Sequence, residues 1–272
     1  MRIAVIGCGR MGKLHARKLA CMNDVDLVGV VDNDDLKAEV LAEELGCDSF
    51  EEYWDLFGEL DAAVVATPPH SHASICKSLI ENSIHVLVEK PITTDVDEAL
   101  SLCHLAHDTG MVLQVGHIER FNPVFKRIAE TITHPFDVEA YRHSRVEFRQ
   151  QDVDVVLDLM IHDIDLVLSL AQTEISKITA SGAREAVIAK IKFIDGSSAI
   201  LHANRKAGAT SRFWSVNDEK HYLIGEYDCL TDELRQFIGC VRNGDKPRVN
   251  GQDGTAALKV ALEISRQIQE TP

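Results

Sequence analysis

Short apolar runs recur along the first half of the chain, at residues 3–6, 25–31, 62–66, 85–88 and 111–115, each dense in Val, Ile, Leu or Ala. Such runs predict strands buried on both faces, as parallel strands are. Between them apolar residues return at helical spacing. Leu14 and Leu19 flank His15, Leu36, Val40, Leu41 and Leu45 share one face closed by Gly46, Ile75, Leu79 and Ile80 form a third set, and residues 96–106 a fourth. Residues 50–56 read as a further short helix. Strands alternating with helices predict an α/β doubly wound parallel sheet with right-handed crossovers. Ligands bind such a sheet at the carboxyl ends of its strands.

The first unit of this alternation carries a strong local signal. Residues 3–12 read IAVIGCGRMG, a strand running into Gly7, Gly9 and Gly12 just before a helix. The first glycine permits the turn, the second lets a pyrophosphate approach the backbone, and the third lets helix and strand pack closely. Arg10 and Met11 complete the loop. The second apolar run ends in Asp32, roughly 20 residues past the last glycine, where an acid meets a ribose diol. The joint pattern predicts a Rossmann dinucleotide-binding domain. Asp32 would repel a 2′-phosphate and no Lys or Arg follows it until Lys37, so NAD is expected over NADP.

The texture changes after Gly116. Residues 117–123 (HIERFNP) form a polar loop entering a helix, and 138–148 alternate like a strand with one exposed face. A helix is predicted over 155–170, followed by strands at 175–181, 187–194, 199–203 and 213–216, with Asp195-Gly196 as a hairpin signal. These are expected to be antiparallel strands of an α+β domain, and helices at 232–241 and 252–268 end the chain. The expected domains are 1–117 and 118–272, with the C-terminal helix packing back on the first.

On the 155–170 helix Asp158, His162, Asp165 and Ser169 fall within a stripe about 60° wide; only Asp163 lies elsewhere, and nearly every other position is apolar. Two readings are open. The acids and the histidine cap one another inside a core, or a carboxylate one turn from an imidazole fixes its tautomer and raises its basicity, as a general base requires. Lys90, at the end of the 85–88 strand, is a third chemical group, since an unpaired ammonium is costly to bury. The bland alternative is a lysine emerging into solvent. Pro91 stiffens this turn, and a cis bond is one device for holding it.

Charge and cysteine usage narrow the class. The formal net charge of −15 argues against nucleic acid or an anionic membrane as partner. Seven widely spaced cysteines without a CxxC pair read as free thiols of a cytoplasmic protein, with no zinc knuckle and no metal site indicated. No apolar run approaches membrane-spanning length.

GCGRMG, ATPPHSH at 66–72, VLVEKP at 86–91, Asp158-x3-His162 within LDLMIHDID and the ending FIGCVRNGDKPRVNGQDGTAAL at 237–258 together resemble the glucose-fructose oxidoreductase and inositol dehydrogenase (Gfo/Idh/MocA) family. The resemblance spans nearly the whole chain. It implies a second domain with an open, mostly antiparallel sheet, an NAD(P)-linked oxidation or reduction of a sugar-like alcohol, and homo-oligomers formed through that sheet. Matched by position, the family's catalytic residues fall on Lys90, Asp158 and His162, with Thr67, Pro68 and His72 lining the cofactor and Glu89 near the nicotinamide ribose. The chain between Val216 and Leu230 is shorter than the family leads one to expect, so an edge strand of the second sheet is expected to be missing.

Within the family, 117–123 and 152–168 are similar to UDP-N-acetylglucosamine 3-dehydrogenases, which implies a nucleotide-sugar substrate. Alternation places His143, Arg145 and Arg149 on one strand face, and Arg120, Arg205, Lys206 and Arg212 lie in neighbouring segments. Arginine forks suit a diphosphate, so His117, Arg120, Arg145 and Arg149 are the candidate substrate contacts. Pairing of these cations with Glu139, Glu147 and other acids is the alternative. A reductase of a non-sugar imine or carbonyl, and a non-catalytic NAD-sensing protein, are the competing functions; retention of Lys90, Asp158 and His162 weighs against the latter.

Overall fold

The computed structural model describes residues 1–145 and 153–270, and the chain divides into two compact units. In the first unit β1 (Arg2–Ile6) leads to α1 (Arg10–Ala20), β2 (Asp26–Val31), α2 (Asp35–Leu45), β3 (Asp48–Phe50), β4 (Ala62–Val65), α3 (His72–Glu81), β5 (His85–Glu89), α4 (Val96–Thr109) and β6 (Leu113–Gly116). The six strands are all parallel, in the order β3-β2-β1-β4-β5-β6. This is the doubly wound sheet that the apolar runs predict.

Two local expectations are corrected. Phe50 does not open a helix. It ends strand β3, paired with Val31, and a 3-10 turn follows at Tyr53–Leu56. Gly29 makes the pairing possible, because a Cβ there would sit 2.5 Å from the Phe50 ring. In α2 the buried residues are Ala38, Leu41 and Ala42, whereas Leu36 and Val40 are 68% and 54% exposed. Small alanines let the helix press against the sheet, so the larger apolar residues flank the contact.

The second unit contains α5 (Pro123–Thr131), β7 (Asp137–Arg145), α6 (Ile161–Leu170), β8 (Ile175–Ala183), β9 (Ala186–Phe193), β10 (Ser198–Asn204), β11 (Lys206–Val216) and β12 (Glu219–Tyr222). Its sheet runs β12-β11-β7-β10-β9-β8. All neighbours are antiparallel except β7 and β10, which run parallel. They are distant in sequence, so no hairpin dictates their sense. The four-residue β12 occupies the edge expected to be missing. Alternate residues of β9 and β10, Val187 to Phe193 and Ala199 to Ala203, face a core shared with α6.

After Tyr227 the chain rejoins the first unit. In α7 (Cys229–Asn243) Leu230, Leu234, Phe237 and Ile238 pack with Ile3, Val5, Leu19 and Leu87. Of α8 (Gly251–Glu270), residues 251–255 count with the first unit and the rest with the second. A single cut between 117 and 118 therefore omits a helix the first core needs. No helix of the described residues is long and apolar enough to cross a membrane.

Candidate active site

The three glycines of the first loop are required for different reasons. Gly7 turns with φ +100°, and a Cβ on it would meet the Ala66 carbonyl at 2.7 Å. One on Gly12 would lie 1.6 Å from the Gly7 oxygen, whereas one on Gly9 would meet nothing within 4 Å. Gly7 and Gly12 thus permit close packing, and Gly9 keeps the start of α1 open. Gly9 caps α1 without a side-chain hydrogen bond, which leaves first-turn N–H groups facing outward for an anion. Arg10 is exposed and Met11 half-buried in that turn. Asp32 is held beside the loop: its Oδ2 accepts from Cys8 N–H at 2.7 Å and its Oδ1 from Asp34 N–H at 3.0 Å. An open helix start for phosphates and an ordered carboxylate for a diol fit a dinucleotide.

At the ends of β4 and β5 the side chains are more internal than the sequence suggests. His72, expected to line the cofactor, is fully buried, with Nδ1 2.9 Å from Pro91 O and Nε2 2.8 Å from Thr67 O. It ties the two strand ends together. Burial pushes its pKa below the ordinary histidine value, against the pull of the two carbonyls and Glu89. The Thr67 hydroxyl accepts from Ser71 Oγ at 2.8 Å, and Pro68 is exposed. Glu89 Oε1 is 2.8 Å from His15 Nε2, and Oε2 accepts the Lys90 N–H at 3.2 Å. Burial raises the Glu89 pKa, but the His15 hydrogen bond and charge, with Lys90, hold it below the ordinary glutamate value. Lys90 is half-buried and the Lys90–Pro91 peptide is cis. His117, just past β6, is fully buried.

In the second unit the predicted single α-helix begins as a π turn, Val156–Met160, before α6. The wider turn departs from the 100° spacing on which the narrow polar seam rests. Buried Asp158 lies in the π turn, its Oδ2 3.6 Å from Arg205 Nη1. His162, half-buried, stands four residues on in the first turn of α6. Asp165 receives both Nε and Nη2 of Arg120 at 2.7 and 2.9 Å, and Ser169 is exposed and bonds back to Leu166 O. Asp163, expected off the seam, is buried against Arg142. Arg205 also grips Glu185, with both contacts at 3.1 Å, and Arg212 reaches Glu119 at 3.3 Å. Of the candidate phosphate contacts, the Arg120 fork is engaged by Asp165. Arg149 and the side chain of Arg145 lie outside the described residues.

The family model described as "Oxidoreductase family, NAD-binding Rossmann fold" matches residues 1–117. The UDP-N-acetylglucosamine 3-dehydrogenase of Acidithiobacillus ferrooxidans is 34% identical, the match covering 97% of this chain and 96% of that protein. The chain belongs to the Gfo/Idh/MocA oxidoreductase family. A solved structure of UDP-N-acetylglucosamine 3-dehydrogenase from Acidithiobacillus ferrooxidans superposes with TM-score 0.92 at 28% identity, covering 99% of this chain and 98% of that one. The scyllo-inositol dehydrogenase of Lactobacillus casei, solved with NAD(H) and scyllo-inositol bound, shares the fold at TM-score 0.89 and 19% identity, covering 99% and 97%.

As a member of the Gfo/Idh/MocA family the chain is an NAD-binding Rossmann oxidoreductase. Several of its buried polar residues carry no functional motif in the sequence, among them His15, Gln114, Glu119, Arg142 and Glu233. For Arg142 and Glu233 a local signal existed. Arg142 shares strand parity with Val138 and Ala140, the inward face of β7, and Glu233 falls on the Leu230, Leu234 and Phe237 stripe of α7. For His15, set between Leu14 and Leu19, the pattern marks the helix without naming the partner.

Proposed function

We propose that this protein is an NAD-linked dehydrogenase that oxidises a ring hydroxyl of a nucleotide sugar, with the C3 hydroxyl of UDP-N-acetylglucosamine as the substrate of first choice. The observation that carries the cofactor end is Asp32, held by two backbone amides beside the open glycine loop; a fixed carboxylate there favours a free 2′-hydroxyl over a 2′-phosphate. The sugar end is supported by full-length similarity to the Acidithiobacillus dehydrogenase. In this reading His162 removes the hydroxyl proton, Asp158 orients and charges the imidazole, and Lys90 hydrogen-bonds the reacting oxygen. When bound, the nicotinamide accepts the hydride, or returns it in the reverse direction. Arg205, beside Asp158, tempers the carboxylate's charge. Arg145 and Arg149 are assigned to the diphosphate, and His117 is kept as a wall of the substrate site.

We further assign the protein to the cytoplasm, on its seven free cysteines, and to a homo-oligomer formed through the outer face of the second sheet. There Tyr141 stacks between His202 and Phe213, with ring centroids 4.3 and 4.6 Å away.

The test supplies NAD together with UDP-N-acetylglucosamine, free N-acetylglucosamine, myo-inositol or glucose and follows NADH. Activity is expected with the nucleotide sugar, and His162→Ala is expected to lower turnover by roughly 10²–10⁴ with NADH affinity nearly unchanged. Activity confined to the unphosphorylated sugars would overturn the substrate, full turnover in His162→Ala the assignment of the base, and tighter binding of NADPH than NADH the role of Asp32.

A further inference from the structure

The first unit buries a group of polar side chains that the proposed reaction does not use. In the register of β5 and β6, Leu87 pairs with Gln114 and Glu89 with Gly116. Leu87 packs with α1 and α7, so Glu89 and Gln114 project to the same side of the sheet. There α1 supplies His15, whose Nε2 meets Glu89 Oε1 at 2.8 Å. From α7 comes Glu233, whose carbonyl accepts from Gln114 Nε2 at 3.3 Å. Gly116 leaves the space, since a Cβ there would press on the Glu89 carboxyl at 3.2 Å. His15, Gln114 and Glu233 are all 0% exposed.

Hydrogen-bond capacity decides where the proton sits. Glu89 is acceptor-only and takes its two bonds from His15 Nε2 and Lys90 N–H. His15 Nδ1, Gln114 Oε1 and both Glu233 carboxyl oxygens are buried and have no hydrogen-bond partner among the described residues. If Glu233 were ionised, neither of its buried oxygens would have a donor among the described residues. Two carboxyl groups in one dry site do not both ionise, and Glu89 has the donors that favour its charge.

We propose that Glu233 is a neutral, proton-bearing acid buried beside the His15–Glu89 pair, whose carboxylate accepts the backbone N–H of Lys90. His15, which bonds Glu89 directly, is thus a positioning residue for the reacting lysine, and that part of the inference rests on the role given to Lys90 above. Burial pushes the Glu233 carboxyl well above the usual carboxylate range, with the Glu89 charge adding to the rise. The charge acting on Glu233 is that of Glu89 on β5; β6 offers the neutral Gln114, α1 reaches the array through His15, and the Lys90 charge acts on Glu89.

Infrared difference spectra of the full-length protein, wild type minus Glu233→Gln at neutral pH, read the proton directly. A protonated-carboxyl C=O band is expected in the wild type and lost in the variant; carboxylate bands in its place overturn the proposal. Because the folded pKa lies above the unfolded one, the contribution of Glu233 to stability is full in acid and is lost as pH rises through the folded pKa. Glu233→Gln is therefore expected to gain in melting temperature relative to wild type as pH rises, and a falling difference would overturn the neutral acid. For the positioning role, His15→Ala is expected to shift the pH profile of kcat/KM through Glu89, while an unmoved profile in that variant overturns the role. Loss of the proposed dehydrogenase activity altogether would leave the infrared and melting outcomes to judge the proton.

Discussion

A guanidinium removed from water has to be neutralised on every side, and Arg142, 2% exposed, is. Its Nε and Nη2 bond Asp163 at 2.7 and 2.9 Å and its Nη1 bonds Glu119 at 2.9 Å. Trp214 Nε1 adds a bond to Asp163 at 2.9 Å, and Asn122 and Arg212 add bonds to Glu119. Removing one partner of such a buried set leaves uncompensated charge and costs about 3–5 kcal/mol. Arg142→Met is expected to lose that much in denaturant unfolding at neutral pH. The loss should shrink in acid. Burial raises the Glu119 pKa, but Arg142 more than offsets this and holds it below the ordinary value. The wild-type contribution is thus present above the ordinary glutamate range and lost as pH falls through the folded pKa. Without Arg142 that stabilisation of the charged carboxylate is lost. A difference between wild type and variant that stays constant from neutral to acidic pH would show that Arg142 does not act through Glu119.

At the scale of the element, the β1–α1 turn separates packing from binding. Alanine at position 12 would place its Cβ 1.6 Å from the Gly7 oxygen, backbone against backbone, whereas at position 9 it would meet open space. Gly12→Ala is accordingly expected to lower the melting temperature of the apoprotein sharply, beyond the roughly 1 kcal/mol of an average substitution. Gly9→Ala should melt close to wild type yet bind NADH more weakly, because the new methyl stands where a pyrophosphate would approach. Thermal unfolding without cofactor and a fluorescence titration with NADH distinguish the two. Equal loss of stability in both variants would contradict the geometry. The π turn before α6 makes the complementary point: Asp158 lies in it, 3.6 Å from Arg205, and no periodicity in 155–170 announces it.

At the scale of the molecule, the first unit is assembled from two stretches of chain. Leu230, Leu234 and Phe237 are buried in its core, and at roughly 1.5–3 kcal/mol per buried side chain the three contribute on the order of 5–9 kcal/mol, comparable with the whole stability of many domains. Residues 1–118 expressed alone are therefore expected to unfold without a cooperative transition and to bind a hydrophobic dye. A sharp melting transition in that fragment would mean that α7 is dispensable. The same discontinuity brings Glu233 beside Glu89, 144 residues earlier in the chain.

The sequence by itself determined what short-range geometry controls. Ile3 to Gly12 specifies strand, turn and helix because the glycine requirements are met within ten residues, and the apolar runs specify buried parallel strands because their pattern excludes an exposed face. The candidate chemical groups Lys90, Asp158 and His162 were legible for a similar reason, as polar residues at the ends or on the faces of otherwise apolar elements. Only the tertiary structure decided the partners. Asp163, Asp165 and Asp158 meet Arg142, Arg120 and Arg205, arginines 21 to 47 residues away in sequence. β10 lies parallel to β7, and Leu36 and Val40 fall outside the core that Ala38 and Ala42 enter. Each of these outcomes depends on which distant surfaces meet, a quantity set by packing and charge compensation across the fold and carried by no local pattern of residues.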